Sequence, residues 1–212
     1  MRFVFVHGWG FHAGIWSGLI SYLPGAEVTL VDLGFLEGGP EGASEWPSDA
    51  IAVGHSLGAL WLLQQGGGGA RPRFRALLSI QGFDCFCPHI PPSRVASMRR
   101  ELKRDAGGTL QAFWHVCGTE AFAPSEALNV DRLDEGLGWL MDWDAREAKA
   151  RLDCPVLALA AIDDAIVPEA MSKGVWGRAN IRWSQGGGHV LPLRHPEWCA
   201  RHVLDFAHGL EP

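Results

Sequence analysis

The chain has 212 residues, 47 % of them hydrophobic and 20 % charged, enough for a substantial hydrophobic core. A formal net charge of −6 offers no global attraction to nucleic acid or to an acidic membrane surface. No apolar run approaches the ~20 residues of a spanning helix, and "MRFVFVHGWG" is too short an apolar stretch for export, so a cytoplasmic monomer that binds neither membrane nor nucleic acid is expected.

The run "FVFV" at 3–6 stops at His7-Gly8 and reads as a buried strand. "GIWSGLISYL" has apolar residues at helical spacing and a stop at Pro24-Gly25. "EVTLVDL" at 27–33 is a second strand. The stretch "GFLEGGPEGASEWPSD" follows, rich in Gly and Pro, and reads as a loop in place of a crossover helix. "AIAVGHS" at 50–56 is a third strand, running directly into the helix "LGALWLLQQ". "GGGGA" at 66–70 is a flexible loop before the fourth strand, "RALLSIQGF" at 75–83. A fifth strand lies in "CPVLALAAIDD" at 154–164 and a sixth in "NIRWSQGGG" at 180–188. "HPEWCARHVLDFAHGL" closes the chain as a helix with Pro196 in its first turn.

Near-continuous apolar strands alternating with helices predict a mainly parallel sheet of about six strands covered on both faces. The alternation breaks once. Residues 84–152 show helices and loops but no clear strand, so a core of 1–83 and 153–212 is expected to carry a helical lid over its ligand-binding edge. The five cysteines (Cys85, Cys87, Cys117, Cys154, Cys199) share no repeated spacing, and no second Cys/His pair completes Cys85-x-Cys87. Reduced thiols and no metal are expected.

Gly54-His55-Ser56-Leu57-Gly58 fits G-x-S-x-G between a strand and a helix. In that context the serine sits on a sharp strained turn with its hydroxyl above the sheet, and small flanking residues let strand and helix approach. The bland alternative is a plain turn with Ser56 as N-cap. A serine nucleophile needs a base, and the base an orienting carboxylate, here in the order Ser, acid, His. Asp163 and Asp164 follow the fifth strand, and His189 follows three glycines after the sixth. All lie at the edge that holds Ser56. The amide of Leu57, the residue after the nucleophile, would be one oxyanion donor.

These motifs resemble the α/β-hydrolase superfamily. The resemblance implies that Asp164, followed by "AIVP", is the triad acid rather than Asp163, and that the "HGWGF" loop supplies the second oxyanion amide at Trp9. Within the superfamily, "FVFVHGWGFHAGIW", "GHSLGAL", "DDAIVP", "GGGHVLPLRHPEWC" and the stretch "PSRVASMRRELKRDAGGTLQAFWHVCGTE" are similar to the BioH-type pimeloyl-[acyl-carrier protein] methyl ester esterases. The compact layout after the second strand, and the G-W-G loop, are also similar to the BioG-type esterases of the same pathway.

That resemblance implies hydrolysis of a methyl ester carried on acidic acyl-carrier protein, without a cofactor. It also implies a basic docking patch, for which Arg94, Arg99, Arg100, Lys103 and Arg104 are candidates, although Glu101 and Asp105 are interleaved with them. Trp114 and Trp139 are candidates for an acyl channel, against the commoner role of tryptophan as core. The alternatives are an esterase or thioesterase for small soluble acyl substrates, another hydrolysis on the same frame, and a ligand-binding protein without turnover.

Overall fold

The computed structural model describes residues 1–38, 42–43, 45–66, 74–120, 122 and 128–210. Six parallel strands form one sheet: β1 (Arg2–Val6), β2 (Glu27–Val31), β3 (Ile51–His55), β4 (Ala76–Ile80), β5 (Val156–Ala161) and β6 (Ile181–Ser184), in the order β2-β1-β3-β4-β5-β6. The two central strands β3 and β4 are buried along their whole length, whereas edge strands β2 and β6 are only partly buried. That division follows from composition, because only the centre of a sheet covered on both faces demands an uninterrupted apolar run.

The segment between β1 and β2 is a 3-10 turn (Ala13–Trp16) and a short helix, α1 (Ser17–Ile20). No helix occurs among the described residues between β2 and β3, in keeping with the Gly/Pro-rich composition there. Helix α2 (Leu57–Gly66) leaves β3 at Ser56 and buries Leu57, Leu60, Leu62 and Leu63 beneath the sheet. Beyond Gly66 the glycine run lies outside the described residues. The chain moves from β1 outward to β2, then back to β3 on the other side of β1. The C-terminal ends of β1 and β3 therefore flank the point where strand order reverses, the usual crevice for a ligand in an open α/β sheet.

Between β4 and β5 come α3 (Pro92–Arg104), α4 (Ala106–Cys117), α5 (Val130–Asp142) and α6 (Arg146–Ala150). The ends of this segment meet: Ala145 N–H donates to the Asp84 carbonyl at 2.7 Å, and the Lys149 ammonium pairs with the Asp84 carboxylate at 2.5 Å. Its buried apolar residues, among them Val95, Leu110, Trp114, Leu133 and Leu137, join the same continuous core as the sheet instead of forming one of their own. Two indole N–H groups hold it to the loop after β1. Trp9 Nε1 donates to the Leu133 carbonyl and Trp114 Nε1 to the Gly10 carbonyl, each at 2.8 Å. The chain finishes with α7 (Glu169–Trp176), α8 (Leu191–Arg194) and α9 (Pro196–His208). No helix among the described residues is long and apolar enough to cross a membrane.

Candidate active site

The turn at Ser56 is built by its neighbours. Register pairs Val6 with Gly54, which sets the ends of β1 and β3 side by side. A Cβ on Gly54 would stand 2.6 Å from the Ala59 backbone, and one on Gly58 would stand 2.2 Å from the Val6 carbonyl oxygen. Both glycines are thus required by close approach, the first of strand to helix and the second of helix to β1. Between them Ser56 has φ +52°, a left-handed conformation costing on the order of 1–3 kcal/mol for a residue with a side chain. Hydrogen bonds hold it there: Ser56 N–H donates to the Ile80 carbonyl, and Ala59 N–H to the Ser56 carbonyl, each at 3.0 Å.

Three side chains from three loops converge at this edge. Ser56 Oγ lies 2.8 Å from His189 Nε2, and His189 Nδ1 lies 2.8 Å from Asp164 Oδ2. An ionised carboxylate only accepts, so the Nδ1 proton points to Asp164, and Nε2 is left to accept from the serine hydroxyl. Asp164 is saturated. Its Oδ1 accepts from the amides of Ile166 and Val167, both at 2.8 Å, and its Oδ2 accepts from Gln81 Nε2 at 2.8 Å as well as from His189. Asp163 has a different task. Exposed, it accepts from the amides of Gly187 and Gly188 at 3.3 and 3.0 Å and so anchors the glycine loop that presents His189. The main chain of His189 is fixed from α4 as well, its N–H donating to the Cys117 carbonyl at 2.8 Å.

Two neighbours support the histidine. His55 is fully buried, and burial, then the proximity of His189, lowers its pKa far below the usual histidine value. The neutral ring donates from Nε2 to the His189 carbonyl at 2.9 Å, with its centroid 5.1 Å from the His189 ring. Gln81, at the end of β4, is the residue that motif reading missed. It has φ +53° and bridges three parts of the site. Its Nε2 donates to Asp164 and to the Gly188 carbonyl, and its Oε1 accepts from Leu191 N–H at 2.9 Å. A polar residue interrupting "SIQGF" at a strand's C-terminal end was the available signal.

The amides of Trp9 and Leu57 donate to no carbonyl among the described residues. Both residues line, with Ser56, an apolar cavity of about 160 Å³ whose walls include Phe83, Phe86, Phe113, Leu137 and Ile166. Trp114 and Trp139 are not in its lining. Trp114 is core, tying α4 to Gly10. Trp139 stacks on Trp143 at 4.7 Å, with the Arg132 guanidinium over its ring. Of the basic residues on α3, Arg99 makes a bidentate pair with Asp134 at 2.7 and 2.8 Å, Lys103 joins it at 3.3 Å, and Arg104 pairs with Glu101. Arg94 and Arg100 are exposed, with no ion pair among the described residues.

The one group with metal-ligand chemistry among the described residues, Asp84, Cys85 and His89, is a poor fit for a cation. Lys149 already neutralises Asp84, and burial, then the adjacent carboxylate, pushes the Cys85 thiol up to about 12. The described cysteines are all free thiols.

A serine on a strained strand-to-helix turn, a histidine and a carboxylate at the C-terminal edge of a parallel sheet are arranged as in the α/β-hydrolase fold. Solved structures agree in fold: an esterase from Exiguobacterium antarcticum has a TM-score of 0.79 at 15 % identity, over 97 % of this chain and 91 % of that one. A bromoperoxidase from Bacillus anthracis has a TM-score of 0.77 at 16 % identity, over 98 % and 91 %. In sequence the chain is similar to the pimeloyl-[acyl-carrier protein] methyl ester esterase of Yersinia enterocolitica, at 29 % identity over 96 % of this chain and 92 % of the relative. It is similar to that of Pectobacterium atrosepticum at 28 % identity, over 96 % and 93 %. No family model matches the chain. These relatives support an esterase.

Proposed function

We propose that the protein is a serine carboxylesterase that removes methanol from a methyl-esterified acyl chain, the pimeloyl methyl ester on acyl-carrier protein being the substrate its curated relatives point to. The observation that carries the reading is the continuous hydrogen-bonded line Ser56–His189–Asp164 opening onto an apolar cavity.

The chemistry follows from the proton positions. Ser56 Oγ attacks the ester carbonyl carbon while His189 Nε2 takes its proton. Asp164 keeps the imidazole oriented and stabilises its charged form. Negative charge develops on the carbonyl oxygen, where the Trp9 and Leu57 amides would each donate. Loss of one such donor costs roughly 3 kcal/mol in a comparable site. Collapse breaks the C–O bond, and His189 returns its proton to the departing methoxide. Water then attacks the acyl-enzyme with His189 as base, releasing the acid and restoring Ser56. No cofactor takes part in this sequence.

The segment 84–152 would serve as lid, since α3, α4 and α5 contribute Met98, Phe113 and Leu137 to the cavity wall. The basic face of α3 would meet an acidic carrier. A second reading, an esterase for small soluble esters, is favoured by one observation: Arg99, Lys103 and Arg104 are already paired with carboxylates within the segment. The test is methanol release from methyl-pimeloyl-carrier protein beside a short free methyl ester, with Ser56→Ala as control. The proposal expects the carrier-bound ester to be preferred and both activities to vanish in the variant. Turnover of the short ester alone would overturn the carrier-bound substrate and leave the second reading.

A further inference from the structure

Among the described residues, the cavity that holds Ser56 has a single charged residue in its lining, Arg94. Ser56 is 7 % exposed, while Arg94, in the same lining, is exposed. Ile90, Val95 and Met98 make the wall around Arg94, and Met98 stands one turn further along the same face of α3. Arg94 sits in the first turn of that helix, with no acidic residue in the turn. A cation there opposes the positive end of the helix dipole. The other cations that bond to carboxylates on α3 and α5 are already placed: Arg99 and Lys103 use Asp134, Arg104 uses Glu101 and Arg132 uses Glu135, whereas Arg94 has no ion pair among the described residues.

We infer that Arg94 is an anion-binding subsite that reads a negatively charged group at the far end of the acyl chain. The inference rests on the reading of Ser56 as the attacking group. An apolar chain fills the cavity with its ester at Ser56, and its distal anion reaches the guanidinium, whose planar fork suits a carboxylate or a phosphate. The bound anion supplies the counter-charge that both Arg94 and the start of α3 lack. Substrates are thereby sorted by what stands beyond the hydrocarbon, a carboxylate on a half-esterified diacid or a phosphate on a carrier arm.

The test compares methanol release from monomethyl esters of linear dicarboxylic acids with release from methyl alkanoates of matched length, in the wild type, Arg94→Ala and Arg94→Lys. Wild-type KM is expected to be lower for the charged ester by about fivefold, the upper size of an ion pair at an exposed site. Arg94→Ala should abolish that ratio, Arg94→Lys should retain part of it, and added salt should shrink it in the wild type. The same ratio between pantetheine and 4′-phosphopantetheine thioesters of a monomethyl diacid tells a carrier-arm phosphate from a terminal carboxylate. Calorimetric binding of the monomethyl diacids to Ser56→Ala, with and without Arg94→Ala, reads the subsite without turnover. Absence of turnover with the binding preference intact would overturn the reading of Ser56 and sustain Arg94. Equal treatment of charged and neutral ligands, or a preference that survives Arg94→Ala, would overturn the subsite.

Discussion

Two adjacent aspartates, one bond of chain apart, carry different loads. Asp164 touches His189, and Asp163 touches only the glycine loop behind it. Gln81 acts on both, through Asp164 and through the Gly188 carbonyl. Comparing kcat across three variants separates these roles. Asp164→Asn should cost about 10⁴-fold, because an amide in that place favours the wrong imidazole tautomer. Asp163→Asn should cost less than about tenfold, since its carbonyl oxygen still accepts from the loop. Gln81→Asn tolerates the positive φ of this site but is one methylene too short, so it should lower kcat by about tenfold with little loss of stability. Equal losses in the two aspartate variants would contradict the division of labour. Ser56 and His189 stood out as candidates in the sequence because each lies within a local pattern of glycines. Residue pattern alone left the two acids open, since a choice between neighbours on one turn depends on which way the turn faces, and only the family resemblance favoured Asp164.

At the scale of elements, the segment between β4 and β5 is stitched to itself by an ion pair. The guanidinium of Arg99 on α3, then the Lys103 ammonium, holds the Asp134 carboxyl of α5 below its ordinary value of 3.8. A depressed carboxyl contributes stability above its unfolded value and loses it as pH falls through the folded one. The urea midpoint of the wild type should therefore exceed that of Asp134→Asn by the equivalent of about 1 kcal/mol at neutral pH, a modest figure because Arg99 is one-third exposed. The difference should shrink as pH falls below 3.8 and vanish once pH is below the depressed folded value. A difference independent of pH would mean that packing, not charge, joins the two helices. The strands were legible to within a few residues. The readings overran their C-terminal ends, as in 75–83 against Ala76–Ile80, because polar and apolar residues of the site follow each strand without a break in hydrophobicity. The tryptophans were not legible. Whether Trp114 lines a cavity or bonds to Gly10 is decided by a contact 104 residues away.

For the whole molecule, strand order explains why the site lies where it does. Because β1 stands between β2 and β3, the loop with Trp9 and the turn with Ser56 open side by side, while β5 and β6 bring the acid and the base to the same edge. The alternation of strands and helices made a parallel sheet legible, and the break in that alternation marked the helical stretch between β4 and β5. The cavity was not legible, since Phe83, Met98, Phe113 and Leu137 meet only when four separate elements pack. The central claim is that Ser56 is the attacking group, activated by His189. It is tested most directly by treating the protein with a fluorophosphonate and measuring intact and peptide masses. The account predicts one adduct per chain, located on the peptide holding Ser56, absent in Ser56→Ala and formed far more slowly in His189→Ala. No adduct on the wild type, or an adduct that persists in Ser56→Ala, would contradict it.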